Sequence, residues 1–180
     1  MATLLFADNT VLINFALINR MDLLERLANG YGRWCASVAA ECHASAGHDG
    51  LGALADADAI FGPPLSPDVA ELIDTKTLRA ELASPGDHRH QHLGEAETLA
   101  IMVRRKVTGF FVTDDRDAMR LAAKHGVSVT TTWRLLQVAS RQQWVDSDTL
   151  WGYVRTLGSN NRGSPPEVTD RASFDKWLTT

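Results

Sequence analysis

Cysteine is scarce: Cys35 and Cys42 are the only two in the chain, which excludes a disulfide framework, and no metal-ligand spacing accompanies them. Both read as small apolar side chains, one in a strand and one in the helix behind it. Long apolar runs are lacking as well. The longest are strand-length or interrupted by charges, so no membrane span is expected. Met1 to Ala7 is apolar but has no basic residue and runs straight into Asp8, so no secretory leader is expected and the protein is assigned to the cytoplasm. There is no excess of positive charge. Eighteen Lys and Arg stand against 22 Asp and Glu, a net charge of −4, and this excludes a surface that coats nucleic acid electrostatically. Any nucleic-acid contact must be local, through a basic patch or through metal ions.

What is present is ordinary globular material. With 180 residues, 44% of them hydrophobic, the chain can build one domain with a substantial core and a short appendage. Residues 1–145 are read as that domain and 146–180 as a helical, partly flexible extension. Thr3 to Ala7 reads as a short strand, followed by the turn residues Asp8-Asn9-Thr10 and helical periodicity over Val11–Ile18 and Met21–Leu27. Gly32 to Ser37 reads as a second strand and Val38 to His43 as the helix behind it. Leu54 to Ile60, Val69 to Asp74 and Thr77 to Leu82 are helical stretches, with Pro and Gly punctuating between them. Leu93 to Val103 is an apolar helix. Gly109 to Thr113 is the strongest strand, apolar throughout and hence central and parallel. Arg116 to His125 is a helix, Val127 to Thr130 the last strand, and Thr131 to Ala139 a helix. Trp144, Trp151, Tyr153, Phe174 and Trp177 are spaced for docking on a core rather than for stacking on bases.

Strand, Asp8, helix; strand, Glu41, helix; Glu95 and Glu97; strand, Asp114-Asp115, helix; strand, Thr132: the alternation is that of an α/β fold with a mostly parallel central sheet between two helical layers. Such a sheet gathers its chemistry at the carboxyl ends of the strands. Taken singly, Asp8 reads as a helix cap and Glu41 as a first-turn acid. Taken together, crowded carboxylates repel unless cations neutralise them. An oxygen-only ligand set without cysteine or a matched histidine suits magnesium or manganese. Because residues two apart on a helix point differently, at most one of Glu95 and Glu97 is expected to share the inner face, and the other to cap the helix or touch a supporting partner. The histidines between Asp87 and His92 read as a polar loop rather than a metal tract. Arg104-Arg-Lys106 reads as a favourable helix end or as a positive rim.

Ala7-Asp8-Asn9-Thr10 with Asn14, Val38-Ala-Ala-Glu41, Leu93-Gly-Glu-Ala-Glu-Thr-Leu-Ala100, and Val112-Thr-Asp-Asp-Arg-Asp-Ala-Met-Arg-Leu-Ala122 followed by Val127 to Thr132 resemble the motifs of the PIN domain, the family that includes the VapC-type toxin ribonucleases. The resemblance runs in order from Thr3 to about Ala139. It implies a three-layer PIN-like fold and metal-dependent cleavage of single-stranded RNA, possible toxin status in a type II toxin–antitoxin pair, a homodimer and a cognate antitoxin. Site residues implied are Asp8, Glu41, Glu97 and Asp115 as catalytic acids. Asp8, Glu97, Asp115 and Asp114 are implied as ligands to Mg²⁺ or Mn²⁺, with either aspartate of the pair able to fill the fourth position. Asn9, Thr10, Glu95, Thr113 and Thr132 are supporting residues, and Arg89, His92 and Arg116 are candidate RNA contacts. Two alternatives stand. One is a degenerate PIN fold that binds RNA or a partner without catalysis. The other is a haloacid-dehalogenase-type phosphatase, echoed by Asp8, Lys106, Thr113 and Asp114-Asp115, although Thr10 stands where that chemistry wants a second aspartate.

Overall fold

The computed structural model describes residues 3–88 and 91–180. Four strands, β1 (Leu4–Ala7), β2 (Gly32–Arg33), β3 (Gly109–Val112) and β4 (Ser128–Thr130), form one sheet in the order β2-β1-β3-β4, every pair parallel. Side chains alternate across a strand, and the sequence uses that alternation to build two cores. Leu5, Ala7 and Val112 face one way, into a large cluster with Leu12, Phe15, Trp34 and Leu136; Phe6 and Phe111 face the other, onto Leu78, Leu99 and Leu121. The first layer holds α1 (Asn9–Leu17), α2 (Met21–Ala28), α3 (Ala36–Ala46), α4 (Ala57–Phe61) and α8 (Thr132–Arg141). The second holds α5 (Val69–Leu82), α6 (Leu93–Arg104) and α7 (Arg116–Lys124). This is the expected three-layer α/β/α arrangement with β3 internal.

Three elements depart from expectation. The second strand stops at Arg33, because Cys35 pairs in an isolated bridge with Leu65 and then caps α3, which starts two residues early at Ala36. The two helical stretches expected over 69–82 are one helix. Asp68 and Glu71 close a capping box at its start, with the Asp68 side chain accepting from the Glu71 amide and Glu71 from that of Asp68. Arg104 and Arg105 form no free rim. They pair with Asp74 and Glu71 and tie the end of α6 to α5.

Two further helices, α9 (Ser147–Ser159) and α10 (Arg171–Thr179), follow α8. Leu150, Val154, Leu157, Val168 and Phe174 are buried in the same cluster as Leu12 and Phe15. The tail aromatics dock as expected: Phe174 lies 5.1 Å from Trp151 and 5.8 Å from Trp177, and the Arg26 guanidinium lies 4.0 Å from the centre of the Trp144 ring. Among the described residues no helix is long and apolar enough to cross a membrane.

Candidate active site

The carboxyl edge of the sheet collects the acids. Asp8 leaves β1 in an extended conformation and heads α1 without capping it. Its side chain, 1% exposed, instead accepts from Thr10 Oγ1 at 2.5 Å and from Thr113 Oγ1 at 3.5 Å. Glu41 lies one turn into α3 with its carboxylate against Gly94 at the start of α6, whose backbone amide pulls its carboxyl down. Glycine is required there: a Cβ on Gly94 would stand 2.9 Å from Val38 Cγ2 and 3.2 Å from Glu41 Oε2. Asp114 follows β3 by one residue. It accepts from the Thr132 amide at 3.0 Å, the Thr132 hydroxyl at 2.5 Å and Asn14 Nδ2 at 2.9 Å.

Glu95 and Glu97 are both buried, at 9% and 5% exposure, because α6 is enclosed on all sides and Gly94 through Met102 are buried without interruption. Helical periodicity therefore does not separate an inner from an outer acid here. Their surroundings differ, although the charge of Glu97 also helps to raise Glu41. Glu95 is the acid whose charge bears most on both Asp8 and Glu41. Glu97 is engaged by Ser37 at the start of α3, accepting from its amide at 3.0 Å and its hydroxyl at 2.7 Å. Asp115 is likewise occupied: its Oδ1 accepts from the amides of Asp117 and Ala118, both at 2.8 Å, and caps α7. Of the adjacent aspartates, Asp114 is the one that joins Asn14 and Thr132.

Negative charge at this edge is poorly compensated. Burial, then Glu95 and Glu41, push the Asp8 carboxyl up to about 7 against the pull of the Thr10 hydroxyl. Burial and Glu95 likewise push Glu41 up to about 7. Burial also raises Asp114, offset by Thr132, Arg162 and Asn14. His92, in the left-handed region at φ 62°, heads α6 with its ring between Asp87, 3.4 Å away, and Glu95, 3.6 Å away. Arg116 is exposed on the first turn of α7, and Arg89 lies outside the described residues. Asn9 donates to Ser45 Oγ at 3.2 Å, while its own buried Oδ1 has no hydrogen-bond donor.

Two residues were not anticipated. Ser37 reads in the sequence as the end of the second strand and carries no other signal. Arg162, in the connector between α9 and α10, donates to Asn14 Oδ1 and to the Thr10 carbonyl; a lone cation in an otherwise uncharged stretch was its one trace in the sequence.

Among the described residues no three His, Cys, Asp or Glu side chains are grouped so that they could hold a metal ion. The donor chemistry nevertheless fits a hard divalent cation: oxygen ligands only, carboxyls held above their ordinary pKa by burial and by their acidic neighbours, and an orphaned amide oxygen beside Asp8. Lys106, which a phosphatase of the haloacid-dehalogenase type would need beside Asp8, instead lines a cavity of about 470 Å³ with Thr3 and Gly109, at the opposite, amino edge of the sheet.

A family model, DUF3368, described as a PIN domain, matches residues 5–171. The chain belongs to the PIN-domain family. PIN domains are generally nucleases, hydrolases that act on nucleic acid, and generally use divalent metal ions. No curated protein and no solved structure matches the chain. The match extends past α9 and through the connector that carries Arg162 to the first residue of α10.

Proposed function

We propose that this PIN domain is a Mg²⁺- or Mn²⁺-dependent endoribonuclease that cleaves single-stranded RNA. The observation that carries the reading is the set of acids at the carboxyl edge of a parallel sheet, Asp8 and Glu95 buried and Glu41 and Asp114 half-buried, with Asp8 and Glu41 raised by burial and by their acidic neighbours. An acidic pocket engages a polyanion only with cations between them, and these four residues would hold them. When bound, such ions supply an activated water and neutralise charge on the phosphodiester. The chain's own residues do the rest. Thr10 and Thr113 fix the Asp8 carboxylate through Oδ2; Thr132 and Asn14 fix Asp114. Glu97 and Asp115, both implied by the family motifs as ligands, are assigned here to holding α3 and capping α7.

The test is cleavage of an unstructured RNA with Mn²⁺, with EDTA, and with Asp8→Asn. Cleavage that needs the metal and is lost in Asp8→Asn supports the reading. Cleavage indifferent to chelation, or none with either metal over varied RNAs, sinks it and leaves a binding module. The toxin role, the cognate antitoxin and the homodimer follow from the VapC-type resemblance. Growth arrest on expression, relieved by Asp8→Asn or by an adjacent small reading frame, together with a dimer mass in sedimentation, is the expected outcome.

A further inference from the structure

Between Gly158 and Pro166 the chain carries one charged residue, Arg162. Leu157 and Val168, buried on either side, anchor the connector against the core, and the Arg162 amide is bonded to the Leu157 carbonyl at 2.9 Å. From there the guanidinium reaches the site: Nε donates to Asn14 Oδ1 at 2.7 Å and Nη2 to the Thr10 carbonyl at 2.9 Å. A carboxamide has one accepting and one donating end, arginine only donates, and an ionised carboxylate only accepts. Arginine on one side therefore selects the oxygen of Asn14 and leaves Nδ2 for Asp114 Oδ2 at 2.9 Å and Thr132 Oγ1 at 3.1 Å. Turned over, the amide would set oxygen against carboxylate and nitrogen against guanidinium.

We propose that Arg162 is a positioning residue of the acid cluster. By fixing the orientation of the Asn14 carboxamide it holds Asp114 in place, so that the segment joining the last two helices completes the site built on the sheet. Its consequence for cleavage rests on the nuclease reading above; its hold on Asn14 does not. Partners that orient metal-binding carboxylates typically contribute about 10- to 100-fold in affinity or activity.

The experiment pairs side-chain amide NMR with kinetics on the full chain. The Asn14 carboxamide pair, assigned by its disappearance in Asn14→Ala, should shift and exchange faster in Arg162→Ala. With Mn²⁺, kcat on RNA should fall about 10- to 100-fold with KM nearly unchanged, and Asn14→Ala with Arg162→Ala should be no slower than Asn14→Ala alone. Arg162→Lys, with one donor head in place of two diverging ones, should lie between, and it carries the same readouts if Arg162→Ala does not fold. An unchanged Asn14 pair overturns the proposal. So do losses that multiply in the double variant, or a loss confined to KM in both backgrounds, which would make Arg162 a direct RNA contact. If the wild type cleaves no RNA while Arg162→Ala still releases the Asn14 pair, the nuclease reading fails and the positioning role stands.

Discussion

Replacing one carboxylate oxygen by an amide separates the work of Glu95 from that of Glu97. Glu95 faces Asp8 and Glu41 electrostatically, whereas Glu97 accepts from both the amide and the hydroxyl of Ser37. Glu95→Gln should therefore weaken Mn²⁺ binding in calorimetry by at least about 10-fold and raise the melting temperature of the metal-free protein, since it removes a like charge. Glu97→Gln should do the opposite, leaving Mn²⁺ affinity within a few-fold and lowering the melting temperature through the α3 start, a contribution of about 1 kcal/mol. Equal losses of Mn²⁺ affinity in the two variants would refute this division. Acidity gives a second handle. Asp8 and Glu41 are raised from ordinary values of 3.8 and 4.5 to about 7, so between those limits the folded protein keeps protons that the unfolded chain has released. Stability is then fully present at low pH and falls as pH rises through 7. Metal-free protein should accordingly melt lower at about pH 8 than at about pH 5, and Mn²⁺ should raise the melting temperature more at the higher pH. A profile that rises with pH would contradict the raised acidity range of Asp8 and Glu41.

At the scale of elements, Asp115 and Asp114 divide between helix and site. Asp115→Ala should remove the α7 cap, lowering stability by roughly 0.5–2 kcal/mol with Mn²⁺ affinity unchanged; a calorimetric loss of metal binding would return Asp115 to the ligand set. The strands that position these residues were legible because Gly109 to Val112 is uniformly apolar and Leu4 to Ala7 runs directly into Asp8. The order of the acids along the chain was legible for the same reason, each strand or helix start announcing its own. The direction of the acids on α6 was not. A sequence pattern reports which side of a helix is wet, and α6 has no wet side over its central turns. Arg162 was hidden differently, since a residue in a glycine- and proline-rich connector has no periodicity from which its target can be read.

At the scale of the molecule, the extension expected over 146–180 shares the core that backs α1. Leu150, Val154, Leu157, Val168 and Phe174 are buried there. Ending the chain after Val145 should abolish a cooperative melt, checked by circular dichroism on heating; a truncated protein that melts cooperatively would establish 1–145 as a self-sufficient domain. The pairing of β1 with β3 adds a constraint in time. Leu4 meets Gly109, Asp8 and Thr113 are 105 residues apart, and Asn14 and Arg162 are 148 apart. Synthesis runs from the amino end at about 5–20 residues per second, so Asp8 is made many seconds before any of its partners on β3 exists. Contacts this distant in sequence form late and slowly. The acid cluster thus cannot assemble before Asp114 and Thr132 have been made, and the Asn14–Arg162 contact must wait for the connector that follows α9.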